Sequence, residues 1–137
     1  MYTRILVPVD GSTTSSQGLA EAIKLAQLTG ARLKLLHVTD LLSFATSPEA
    51  GMGATPQLLD LLREGGQAVL DEGKAAASRS GVAAEMLLVD NFAGRLSDLV
   101  VDEAVQWGAD LIVIGTHGRR GVGSFLLGSD AEQIVRH

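Results

Sequence analysis

The chain has 137 residues, no cysteine, 46% hydrophobic but only 4% aromatic residues, and a formal net charge of −5. That length gives one domain with a core of Val, Leu, Ile and Ala, and the lack of cysteine removes disulfides, thiolate catalysis and Cys-ligated zinc. The acidic balance argues against a nucleic-acid or membrane-surface binder, no apolar run approaches the ~18 residues of a membrane span, and the N-terminus lacks a secretion signal's apolar centre, so a cytoplasmic protein is expected.

Residues 4–9, RILVPV, are short, apolar and β-rich, and Asp10-Gly11 closes them as a first strand. Pro8 cannot donate a ladder hydrogen bond and belongs near the strand's end. Leu19, Ala22, Ile23 and Ala26 recur at helical spacing and predict a helix over about 14–29, with Thr14 and Gln17 as a capping box. Gly30 ends that helix in the left-handed conformation, and residues 32–38 read as a second strand in which His37 is structural. Residues 39–54 have no period and are expected to be a loop. Thr55-Pro56 is a helix start, a hydroxyl cap followed by proline at the first helical position. The helix runs to residue 80 although Gly65, Gly66 and Gly73 each cost it roughly 1 kcal/mol against alanine. Gly81 and a strand over 82–89 follow. Leu96, Leu99, Val100 and Ala104 mark a third helix ending at Trp107, a core anchor, and Gly108 leads into an apolar strand over 111–114.

Apolar strands alternating with amphipathic helices predict an α/β fold, an open parallel sheet with helices on both faces. In such sheets ligands bind beyond the carboxyl ends of the strands, where the strand order reverses. The last of those ends opens into GTHGRRGVGSFLLGSDAEQ, residues 115–133, longer and richer in glycine than a strand-to-helix connection requires. It is not a Walker A loop, because Ser124 stands where the lysine must follow Gly118 and Gly123. It is not a dinucleotide fingerprint either, because Leu126 stands where the third glycine must follow Gly121 and Gly123. Ser129 and Glu132 form a capping box that predicts a final helix from Ser129. Its N–H groups and dipole could hold an anion, approached past Gly128, with Arg119 and Arg120 adding charge. Asp130 sets a negative charge beside such an anion unless it points away or holds a divalent metal, and acidic residues are also favoured in a first helical turn. Asp10 reads equally well as a turn residue before glycine.

Gly115-x-x-Gly118, nine residues, then Gly128-Ser129 resembles the glycine signature of the universal stress protein family in its ATP-binding branch. ILVPVDGS (5–12), LLHV (35–38) and ADLIVIGTHG (109–118) are similar to that family in the same order, so the resemblance spans the chain. It implies a flavodoxin-like or adenine nucleotide alpha hydrolase-like fold, a homodimer, and ATP as ligand, with Mg2+ or Mn2+ beside it. Pro8, Val9 and Val38 would then line the adenine pocket, and Asp10 would accept hydrogen bonds from the ribose hydroxyls. Ile114, Gly115, His117, Gly118 and Arg119 would flank the ribose and phosphates, and Gly128, Ser129 and the Asp130 backbone would hold the phosphates. Family members continue into a fifth apolar strand, often the dimer contact. That strand is expected to be missing here, leaving 111–114 as an edge.

The function implied is that of a nucleotide-binding stress-response protein in which ATP biases conformation or partner choice. No Walker lysine and no acid–base pair surround the loop, so hydrolysis is expected to be slow or absent. Two alternatives are a hydrolase or phosphotransferase using Asp10, His117 and Mg2+, and a nucleotide-independent dimerisation module that recruits partners. The intact glycine signature argues against the second.

Overall fold

The computed structural model describes residues 2–40, 56–91, 94–115, 124–127 and 133–135. Its elements are β1 (Arg4–Pro8), α1 (Thr13–Thr29), β2 (Arg32–Asp40), α2 (Pro56–Arg79), β3 (Ala84–Asn91), α3 (Leu96–Trp107), β4 (Leu111–Ile114), β5 (Ser124–Leu127) and β6 (Gln133–Val135). They form a sheet of order β3-β2-β1-β4-β5-β6. β1 to β4 are mutually parallel, the open parallel sheet that the alternation of strands and helices predicts.

Both faces of that sheet are covered, which is why its strands read as continuous apolar runs. Ile5 and Val7 of β1 point to the face carrying α1 and α2, with Leu33, Leu35, Leu111 and Val113. Leu6, Leu36 and Ile112 point to the other face, against Val100 and Ala104 of α3. A polar cluster fastens α3. Lys34 Nζ lies 2.6 Å from Glu103 Oε2 and 5.6 Å from the centre of the Trp107 ring, and Trp107 Nε1 donates to Glu85 at 3.2 Å. Trp107 itself packs on the apolar cluster, as expected of an anchor.

The boundaries shift where a local contact outweighs the pattern. α1 starts at Thr13 because Ser12, not Thr14, is its cap, accepting the Ser15 N–H at 3.0 Å. β2 runs two residues beyond Val38 because Thr39 and Asp40 still find partners in Asp90 and Asn91. β3 begins at Ala84 because Val82 is buried in the turn before it, its N–H bonded to Ala77 O. Of the three glycines inside α2, Gly66 and Gly73 have a packing reason and Gly65 has none. A Cβ on Gly66 would meet the His37 ring at 2.5 Å, and one on Gly73 would meet Leu35 at 2.9 Å, so helix propensity yields to close approach on β2. The three helix-ending glycines, Gly30, Gly81 and Gly108, have φ of 76°, 73° and 78°, a region where other residues are strained. The expected loop over 39–54 falls, from residue 41 on, outside the described residues.

Two expectations are overturned beyond β4. Residues 111–114 are not an edge, because β5 pairs antiparallel with β4, from Ile114↔Ser124 to Leu111↔Leu127. The helix expected from Ser129 does not run on through residues 133–135, which are strand β6, paired antiparallel with β5; residues 128–132 lie outside the described residues. The capping box is a local preference, whereas an open β4 edge offers a full row of unpaired N–H and C=O groups. Among the described residues, no helix is long and apolar enough to cross a membrane.

Candidate functional site

β1 lies between β2 and β4, so the strand order reverses at β1 and a crevice opens past the carboxyl ends of β1 and β4. A cavity of about 160 Å3 occupies that place, lined by Pro8, Val9, Asp10, Ser15, Leu36, Val38, Leu96, Ile114 and Gly115. The fold thus gathers Pro8, Val9, Asp10, Val38, Ile114 and Gly115 from three strand ends. His117, Gly118, Arg119, Gly128, Ser129 and Asp130 lie outside the described residues. Among the described residues two larger hollows lie elsewhere, about 260 Å3 between α1 and α2 and about 450 Å3 beneath Gly30 and Gly81. The second sits at the amino edge among helix-to-strand turns, and the first fills the groove between α1 and α2, reaching Val9, Gly11 and Ser15 past the end of β1 but no residue of β4. Position at the strand reversal, not size, singles out the smaller cavity.

Backbone bonds hold its walls. Val9 N–H donates to Leu36 O at 2.8 Å, carrying the β1–β2 ladder one residue past Pro8. His37 Nδ1 lies 2.8 Å from Val9 O. A carbonyl only accepts, so Nδ1 carries the proton, and His37 has the structural role expected of it. Asp10 N–H donates to Ser15 Oγ at 3.0 Å, while Asp10 Oδ1 accepts the Ser12 N–H at 2.8 Å. Asp10 is therefore a turn residue, as one of its readings has it, and it also lines the cavity. At the same carboxyl edge, beyond β2, Arg63 Nε and Nη2 reach Asp90 Oδ2 at 3.0 and 2.9 Å. That hydrogen bond, with the Asp90 charge, raises the Arg63 pKa above arginine's ordinary value.

Gly115 sits where β4 meets α1. A Cβ on Gly115 would collide with Thr14 O and come 3.0 Å from Ser15 Cα, and one on Gly18 would come 2.9 Å from Gly115 N. These two glycines let the start of α1 lie directly against the strand end, bringing Ser15 to the cavity wall. Sequence reasoning missed Gly18, Ser15, Leu36 and Leu96. Gly18 had a signal, a glycine inside a helical pattern that usually marks a close approach. Leu36 and Leu96 follow only from the three-dimensional arrangement.

Chemically, the cavity offers apolar walls from Pro8, Leu36, Val38 and Ile114 and a carboxylate, Asp10. Such a lining suits a flat ring with hydroxyl groups beside it. Pockets that enclose whole ligands run to roughly 300–1,000 Å3, so this one is of a size for a single ring system. Among the described residues no three His, Asp or Glu side chains gather to hold a metal ion, so no ligand set for Mg2+ or Mn2+ is found there. The residues expected at the phosphate end fall outside the described ones. Leu127 and Gln133 pair with each other beside Leu111, at the end of β4 away from the cavity.

Comparison with known proteins agrees with this architecture. The sequence profile of the Universal stress protein family matches residues 1–137. A universal stress protein of Methanocaldococcus jannaschii is 32% identical over 137 residues, spanning 100% of this chain and 78% of that protein. The crystal structure of a universal stress protein family member from Burkholderia pseudomallei superposes with a TM-score of 0.72 at 38% identity, covering 85% of this chain and 83% of the other. The structure of the universal stress protein from Archaeoglobus fulgidus in complex with dAMP shares the fold, with a TM-score of 0.60 at 23% identity and 82% and 80% coverage. From its first strand to its last glycines, then, this chain belongs to the universal stress protein family.

Proposed function

We propose that this protein is an adenine-nucleotide-binding regulator whose occupancy by ATP sets its conformation or its choice of partner. The observation that carries the proposal is the cavity at the strand reversal, where Pro8, Val9, Val38 and Ile114 supply apolar walls and Asp10 an acceptor for ribose hydroxyls. The relative solved with dAMP lends support, since it has the same fold. Phosphate contacts by His117, Gly118, Arg119, Gly128, Ser129 and Asp130, and a metal bridging them, rest on the spacing of the glycine signature alone. A homodimer in the cytoplasm, acting through an associated protein partner, completes the proposal. Hydrolysis, if the protein performs it, is slow, since no general acid–base pair stands at the described walls.

The test is calorimetric titration of the purified protein with ATP, AMP, GTP and ribose 5-phosphate. ATP and AMP bind and GTP binds more weakly, because the base fills the cavity. Absence of any adenine-nucleotide binding refutes the proposal, and equal affinity for ribose 5-phosphate refutes the placement of the base.

A further inference from the structure

Among the described residues, four large apolar side chains are strongly exposed: Leu28, Leu61, Leu96 and Val105. Leu28, Leu61 and Val105 line none of the three cavities, while Leu96 lines the one at the strand reversal. Single exposed apolar residues on a surface need no explanation. One that forms the wall of a ligand-sized recess has a use for its exposure, because a ligand that enters covers it.

Leu96 is the first residue of α3, on the sheet face that carries Leu36, Val38 and Ile114. It is 53% exposed. Later residues of α3 on its buried side, Val100 and Ala104, are packed against the sheet, so the helix start is held in place from its own body. Leu96 therefore projects from a fixed support at the rim of a recess whose floor is formed by strand ends. We propose that Leu96 is the outer apolar wall of the base site, packing on one face of the heteroaromatic ring while the strand-end residues take its other side. The inference rests on the nucleotide reading above and names a residue which that reading does not include.

The physical consequence is selective. Contact with a ring face is apolar and non-directional, so Leu96 contributes to affinity for any ligand that carries the base and nothing to a ligand without it. Removing the side chain beyond Cβ loses the burial of its exposed half, about a tenfold loss of affinity. Because that half faces solvent in the free protein, its removal leaves the free protein's stability nearly unchanged.

The test compares wild type, Leu96→Ala, Leu96→Met and Val105→Ala by titration with adenosine, AMP and ATP, and by thermal unfolding without ligand. Leu96→Ala weakens all three ligands by a similar factor of about ten, Leu96→Met restores most of the loss, and Val105→Ala changes nothing. All four proteins unfold at the same temperature within about 2 °C. If wild type binds ATP and Leu96→Ala binds it within twofold, the inference is overturned while the nucleotide reading stands. If wild type binds no adenine nucleotide, both fall. Loss confined to ATP with adenosine unaffected also overturns the inference, since it would place Leu96 near the phosphates.

Discussion

One carboxylate holds the beginning of the chain to the beginning of β4. Asp110 Oδ2 accepts the Thr3 N–H at 2.9 Å and the Thr3 hydroxyl at 3.0 Å, and Oδ1 accepts the Arg4 N–H at 3.1 Å. Partial burial pushes this carboxyl up, but the hydrogen bonds from Thr3 and Arg4 together outweigh it and hold the pKa below the ordinary carboxylate value. A depressed folded-state pKa means stability that is present above the unfolded value of roughly 3.9 and lost as pH falls through the folded one. Asp110→Asn therefore destabilises at pH 7 by about 1 kcal/mol, and the gap from wild type narrows at pH 3. Urea unfolding at the two pH values checks this, and a gap that widens on acidification contradicts the assignment. From the sequence, Asp110 was only the polar residue between Ala109 and an apolar strand, because its partners lie at the other end of the chain.

At the scale of elements, the approach of α1 to the end of β4 decides where the cavity wall stands. The contact is backbone on backbone, between Gly115 and the first turn of α1, and backbone cannot swing aside as a long side chain can. Gly115→Ala must push the helix away, an overpacking cost of about 2–3 kcal/mol, and it carries Ser15 and the Asp10 turn with it. Gly65→Ala should have the opposite sign. Gly65 is also a glycine, but it lies inside α2 with nothing within 4 Å of an added Cβ, so alanine stabilises by up to about 1 kcal/mol. Chemical denaturation of the two variants gives the comparison, and equal signs would show that backbone propensity, not contact, governs Gly115. The same contrast marks what could be read in advance. The helix over 96–107 and the strand over 111–114 were legible because period and glycine stops agree. β5 and β6 were not, because a local capping box pointed one way while pairing with a distant strand edge decided the other.

For the whole molecule, the sheet order turns scattered residues into a site. Pro8, Val9 and Asp10 were legible as site candidates through the resemblance of residues 5–12 to the family's first strand and turn, and the strand order then sets β1 at the reversal. Leu36, Ser15 and Leu96 carry no local mark and become neighbours only when α1 and α3 are laid on opposite faces. The consequence is thermodynamic. The cavity joins β1, β2, β4, α1 and α3, so a nucleotide in it binds only when these elements are assembled and has no comparable site on the unfolded chain. Ligand that binds only the folded state adds RT ln(1 + [L]/Kd), about 2.7 kcal/mol at a hundredfold excess over Kd. For a chain of this size that raises Tm by roughly 5–10 °C, and each further tenfold in ATP adds a similar smaller step rather than a plateau. Scanning calorimetry across a concentration series reads it directly. A Tm that stops rising once a single equivalent is bound, or unfolding that splits into two transitions, would mean that the nucleotide holds one segment in place and not the assembled sheet.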